Sequence, residues 1–458
     1  MSLPGITPQP HKVSRALQIA GRASEFGSPL SVFRNLLQVV EFYPWRLDLL
    51  EFAGRSAIQG GALEAGIELL QHVSEFKQLD ATSQIALGDA ALRQSNSQLA
   101  IAAYTTALHA GGDPLILYDR MAQARRTMGD FAAAIKDLES LAALQPTSPQ
   151  ISVQLGLLYA SQEPEAAITY LTRAVELDPS LEPEIQSMRR SLRTARLSDD
   201  KAYTLLIAGR ELASLGEWDL AEEAFRRATV FRRDYAEAWA FLAESRQHLS
   251  TTNQLAYEDL RKALTLDPDS VVANTLMALY WQRQARDDLS LVYLHAALAA
   301  EPDNPTLHIE LGDTLAGMGE IGSAHEYFRQ AVDLAPDNPV YWRYLASFSV
   351  NYDIDVRQVG LPAARQALVL DPDDPASLDV MGQVLTLLDD PVSAQRFFRR
   401  ALQNDPGFAP ARLHLGFLFL LQGDAAQAHQ QLTLAKSLAP PQHATALQAA
   451  RLLEQYFP

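Results

Sequence analysis

The 458-residue chain contains no cysteine. Disulfides, thiolate metal sites, cysteine nucleophiles and thiol redox chemistry are therefore excluded. Positive charge is scarce: 38 Lys and Arg against 55 Asp and Glu leave a formal charge of −17. Phosphate backbones repel a chain of that sign unless a local basic patch reverses it, which argues against nucleic acid as a partner. Long apolar runs are missing too. The most apolar stretch, Leu413 to Leu421, is interrupted by His414 and Gly416 and is far shorter than the roughly 18 residues a membrane span takes. The opening Met-Ser-Leu-Pro-Gly-Ile-Thr-Pro-Gln-Pro has neither the basic start nor the apolar run of a secretory signal. The expectation is a chain with no membrane span, resident in the cytoplasm; the lack of cysteine agrees with a reducing compartment. What remains is globular in composition, 48% apolar and 20% charged.

Proline punctuates the chain with a period. Pro268, Pro302 and Pro336 are 34 residues apart, and Pro44, Pro146, Pro179, Pro372, Pro406 and Pro440 fall in the same frame. Periods of this length are the mark of repeat architectures. Twelve repeats begin at residues 13, 47, 81, 115, 149, 202, 236, 271, 305, 339, 375 and 409. The fifth is one residue short, the seventh one long and the tenth two long.

Each repeat reads as two helices. In 305–338, Leu307, Leu311 and Leu315 form one apolar stripe, and Ala324, Tyr327, Phe328, Ala331 and Leu334 form a second. Gly319 separates them, because it tolerates positive φ. Pro336 ends the unit. Asn338-Pro339 opens the next, with Asn as N-cap and Pro at the first helical position; Asn304-Pro305 and Asp374-Pro375 repeat the device. The eighth position is Gly or Ala in all twelve repeats, from Ala20 and Gly54 to Gly382 and Gly416. A small residue there lets the paired helix approach.

With a bulky fourth position (Trp239, Trp342), a small eighth, an aromatic or Leu twenty-fourth (Phe225, Phe328, Phe398), Ala at the twenty-seventh (Ala174, Ala263, Ala331) and Pro at the thirty-second, the pattern resembles the tetratricopeptide repeat family. The signature thins in the first three repeats and in the sixth, where Arg233 replaces the proline. The resemblance implies an all-α, right-handed superhelical solenoid of antiparallel helix pairs, with about 24 repeat helices. Two segments stand outside the repeat. Residues 182–201 read as an odd helix with Ile185, Met188, Leu192 and Ala195 on one face, and residues 443–458 as a helix capping the last repeat. The expected organisation is a mobile tail at 1–12, five repeats at 13–181, the odd helix at 182–201, seven repeats at 202–442 and the cap at 443–458. The odd helix either breaks the stack into two blocks or is an elongated connection within a continuous one.

Nothing in this pattern calls for chemistry. Residues outside the repeats are too few for a catalytic domain, and no phosphate loop, nucleophile elbow or His-Glu-x-x-His motif occurs. The histidines, among them His72, His109, His295, His308, His325, His414 and His429, never recur as a set, so no metal and no cofactor is expected. Asp373-Asp374 and Asp389-Asp390 sit in turns, where capping is the ordinary duty of Asp.

The resemblance further implies that positions 2, 5, 6, 9, 12 and 13 line a concave groove. Repeat four then offers Asp119, Arg120, Gln123 and Arg126; repeats six to eight offer Tyr203, Arg210, Phe241, Glu244, His248, Gln282 and Arg283; repeat ten offers Arg343 and Tyr344. The last two repeats offer Val380, Leu413, Phe417, Leu420 and Leu421, as core beneath the cap or as an open apolar face. Arg and aromatic side chains dominate interface energetics. The expected role is a non-catalytic scaffold that binds a peptide or helical segment in the groove, an acidic one included. A self-assembling structural component and a small-ligand sensor are the alternatives. The carboxylate clamp by which some family members hold chaperone tails is absent: no repeat has Lys at position 5 or Asn at 6 or 9. A second basic patch comprises Arg189, Arg190, Arg193 and Arg196 on the odd helix, with Arg226, Arg227, Arg232 and Arg233 nearby. It reads as a docking patch for an acidic partner or as a solvated face.

Overall fold

The computed structural model describes residues 10–25, 27–249 and 253–457. Among these residues the chain forms 26 α-helices and no strand. Twenty-four of the helices pair within the twelve repeats, one is the odd helix, and one is the cap. The chain is an all-α solenoid.

Helix starts are built as the sequence predicts. Asn304, Asn338 and Asp374 accept hydrogen bonds from the backbone N–H groups of Thr306, Val340 and Ala376, each with Pro at the first helical position. Asp80, Asp113, Asp130, Asp200, Asp390 and Asp424 cap six further helices in the same way. Between the paired helices, position 15 is left-handed in ten repeats. It is Gly27, Gly61, Gly129, Gly216, Gly319 or Gly423 in six of them, and Ser95, Ala285, Asp353 or Asp389 in the other four. Only Gly adopts that region at no cost.

Of the tail expected at 1–12, residues 1–9 lie outside the described residues, and the first helix begins at Pro10, a residue suited to the first turn. The two extra residues of repeat ten are absorbed between its helices. Asp353 and Asp355 take positive φ, and a π-helical turn, Val356–Gly360, runs into Leu361–Leu370.

Contacts divide the chain into two compact units, residues 1–256 and 257–458. The division does not fall at the odd helix, as the block reading expects, and the reason is the core. The odd helix, Glu182–Arg196, buries Ile185, Met188, Leu192 and Ala195, and the first three join an apolar cluster that continues from Ala122 to Leu242. It packs between Pro164–Leu177 and Lys201–Ser214, so the connection is elongated but the stack is continuous. In unit 1 this insertion brings Pro149–Gln162 against both helices of repeat six. Gln162 Nε2 donates to Glu223 at 3.1 Å, and Arg227 Nη1 donates to Gln162 Oε1 at 2.9 Å.

In unit 2, the last helix, Ala444–Tyr456, covers Leu413, Leu432 and Ala435 through Ala449, Leu452 and Leu453.

Candidate functional site

The groove positions lie on the first helix of each repeat, whose opposite face is pinned by the eighth residue. A β-carbon built on Gly88 would stand 2.4 Å from the Tyr104 ring, and one on Gly382 would stand 2.4 Å from Phe398. The paired helices are packed too closely there for any larger residue.

In unit 1 the predicted arginines are already engaged. Arg120 pairs with Asp89, which also accepts from Tyr104 Oη at 2.8 Å. Burial, reinforced by Asp89, pushes the Tyr104 hydroxyl well above the usual tyrosine range. Arg126 grips both oxygens of Asp219 at 2.7 Å and also pairs with Glu217, in the turn and first residues of the second helix of repeat six. The hydrogen bonds that Arg126 donates to Asp219, with those to Glu217, raise its pKa above the usual arginine value. Arg126 and Gln123, with Asp119, Gln154 and Glu217, line a hollow of about 330 Å³. Arg210 lies over the Phe241 ring at 5.5 Å and reaches Glu237 at 4.0 Å. Phe241 stacks on Phe225, so it serves the core as much as the surface. His248 Nε2 donates to Glu244 Oε1 at 3.0 Å, and its ring stacks on Trp218. Tyr203 is partly exposed.

In unit 2, Gln282 Nε2 donates to Thr314 Oγ1 at 2.8 Å. Arg283 is exposed at the end of Val271–Arg283. Arg343 binds Asp374 at 2.6 Å, bracing the N-cap of the next repeat. Burial opposes ionisation of Asp374, but hydrogen bonds from Ser377 and the Arg343 charge outweigh it and hold its pKa below the usual value. Tyr344 is exposed. The apolar set divides: Val380 and Leu413 are buried, Leu420 packs beside Leu413, and Phe417 and Leu421 stay exposed.

The basic patch divides as well. Arg189 pairs with Glu182, Arg226 with Glu223 at 2.7 Å, and Arg232 with Asp200 while lying 4.3 Å over Tyr235. Arg193 donates to Thr172 at 3.3 Å. Arg190, Arg193, Arg196 and Arg233 are exposed.

Two acidic features escaped the sequence reading. Glu310 and Asp313 occupy positions 6 and 9 of repeat nine, which the positional rule marks as groove-lining, but the reading favoured cations and aromatics there. Loss of hydration raises both pKa values, Asp313 to about 6 with help from the Glu310 charge, although the Asp313 side chain itself reaches solvent. Asp379, almost fully buried, takes His414 Nδ1 at 2.9 Å and Gln383 Nε2 at 3.0 Å. Among the described residues no group of three or more His, Asp or Glu could hold a metal ion, and no helix is long and apolar enough to cross a membrane.

Family models described as tetratricopeptide repeat match residues 120–182, 289–347 and 385–451, where the repeat signature is strong. No curated protein matches the chain. Among solved structures, yeast Tom70 is 16% identical, with 90% of this chain and 95% of that one covered and a TM-score of 0.44. The Cut9 assembly Cut9-Hcn1 of the APC/C gives 16% identity, 97% and 90% coverage and a TM-score of 0.41. Pseudomonas aeruginosa pilF gives 22% identity, 49% and 99% coverage and a TM-score of 0.37.

Proposed function

We propose that this chain, a tetratricopeptide repeat protein, is a non-catalytic scaffold that holds a peptide or helical segment of another protein along the inner faces of its first helices. The observation that carries this reading is the set of exposed interface-type side chains at the groove positions: Arg210, Tyr344, Phe417 and Leu421 stand open on helices whose backs are locked. Large exposed aromatic and Arg groups on a rigid wall bind with little ordering cost. An acidic segment is the weaker choice of partner, because Arg120, Arg126 and Arg343 are already neutralised by carboxylates of the same chain.

Affinity capture from a native cell extract, read by mass spectrometry, tests the reading. Wild type runs beside an Arg210→Ala, Tyr344→Ala, Phe417→Ala variant. Partners retained by wild type and lost by the variant are expected. Identical partner lists would contradict a groove site, and recovery of the bait alone would support the self-assembling alternative.

A further inference from the structure

The inner face of repeats nine to twelve carries two hollows of opposite character. The first, about 280 Å³, is lined by Asp313, Arg343, Tyr344, Ser347, Asn351 and Tyr352. Its one cation, Arg343, is spent on Asp374 at 2.6 Å. Among the described residues, neither Asp313 nor the carboxylate of Glu310 one helical turn back makes a hydrogen bond or ion pair. The hollow therefore presents net negative charge beside two exposed phenol rings. The second, about 240 Å³, shares Asn351 with the first and is walled by Leu387, Leu413, Phe417 and Leu452. Its charged floor is closed, because Asp379 is paired with His414.

We propose that this face receives a protein segment that sets a Lys or Arg side chain against Asp313 and Glu310 and a bulky apolar side chain into the hollow beside Phe417. The assignment rests on the scaffold reading and supplies the chemistry of its partner. Three terms favour such an occupant. A cation neutralises two neighbouring carboxylates, Glu310 partly buried and Asp313 exposed, that repel each other and are unpaired among the described residues. Tyr344 and Tyr352 offer ring faces to an ammonium or guanidinium. The apolar side chain covers Leu387 and Phe417, which are otherwise left to water. An acidic segment would meet repulsion at the same place. The formal charge of −17 draws basic partners at long range.

The test is a random-peptide phage library panned on the full chain, on a Glu310→Gln, Asp313→Asn variant and on a Phe417→Ala variant. Both carboxylate changes keep size and shape, and thermal midpoints verify folding. Peptides enriched on wild type are expected to combine Lys or Arg with a bulky apolar residue. Synthesised singly, they should bind the carboxylate variant about tenfold more weakly, with a smaller loss at high salt, and should also weaken on Phe417→Ala. If the enriched peptides are acidic or uncharged and bind the carboxylate variant undiminished but depend on Phe417, the basic assignment is overturned and the groove reading stands. If no enriched peptide depends on any of these residues, both fall.

Discussion

At the scale of single residues, the repeats are sized by complementary volumes. Where the twenty-fourth residue is aromatic, the eighth is Gly: Gly88 faces Tyr104, Gly209 faces Phe225, Gly312 faces Phe328 and Gly382 faces Phe398. Where the eighth is Ala20, Ala122, Ala278 or Ala346, the corresponding residue is Leu36, Leu138, Leu294 or Ala364. The Gly382→Ala change puts a β-carbon into the Phe398 ring and is expected to cost about 1–2 kcal/mol of stability, overpacking outweighing the helix propensity gained. Adding Phe398→Leu should recover part of that loss, as a double-mutant cycle by chemical denaturation would show. Gly322→Ala, with open space around its β-carbon, should stay within about 0.5 kcal/mol of wild type.

The fourth position shows a chemistry that residue type conceals. Trp239, Asn274, His308, Trp342 and Arg412 each direct a side-chain N–H to the carbonyl oxygen six residues earlier, in Arg233, Pro268, Pro302, Pro336 and Pro406. The sequence marks this place as bulky. That four dissimilar side chains share one hydrogen bond emerges only when the backbone is in place. Trp342→Phe keeps the bulk and loses the donor, and should cost about 1 kcal/mol. The arginines teach the converse. Arg120, Arg126 and Arg343 are legible as groove residues from their positions, but their carboxylate partners stand 31, 93 and 31 residues away, and no periodicity reveals such pairings.

Asp313 gives the sign of a pH effect. Its pKa in the folded chain is raised to about 6 by loss of hydration, with Glu310 adding to it, so the folded state holds a proton that the unfolded state releases near pH 4. Stability from this group is present below that value and is lost as pH rises through about 6. Asp313→Asn removes the loss. Its thermal midpoint should exceed that of wild type at pH 7.5 and converge on it as pH falls below about 4, as scanning calorimetry would measure.

At the scale of elements, helix existence was legible throughout, because apolar stripes, N-caps and prolines agree with one another. The odd helix at Glu182–Arg196 buries the four residues its 3.6-residue spacing singles out. Its consequence was not legible: whether an unpaired helix breaks a stack depends on what its neighbours bury, and here the core runs through it. Turn geometry was read from Gly319, yet the same left-handed conformation is imposed on Ala285 at φ 54. A β-carbon there is strained, so Ala285→Gly should stabilise unit 2 by up to about 1 kcal/mol, measurable by chemical denaturation. Arg126 links repeat four to repeat six within unit 1 through Asp219 and Glu217. Arg126→Gln removes the charge from a half-buried network and should raise amide exchange across 201–231, read by deuterium uptake.

At the scale of the whole chain, two compact units divide at residues 256 and 257, within the second helix, Asn253–Leu266, of the seventh repeat, which is one residue long. The net charge was legible and points to the kind of partner; the distribution of that charge over paired and unpaired carboxylates was not. The central claim is that the inner faces of the first helices hold a partner. Deuterium exchange on the full chain, free and saturated with a captured or selected partner, tests it most directly. Protection is predicted on the first helices of repeats nine to twelve, centred on 305–317, 339–351 and 409–422, with the second helices unchanged. Protection confined to the second helices or to 182–196 would contradict it.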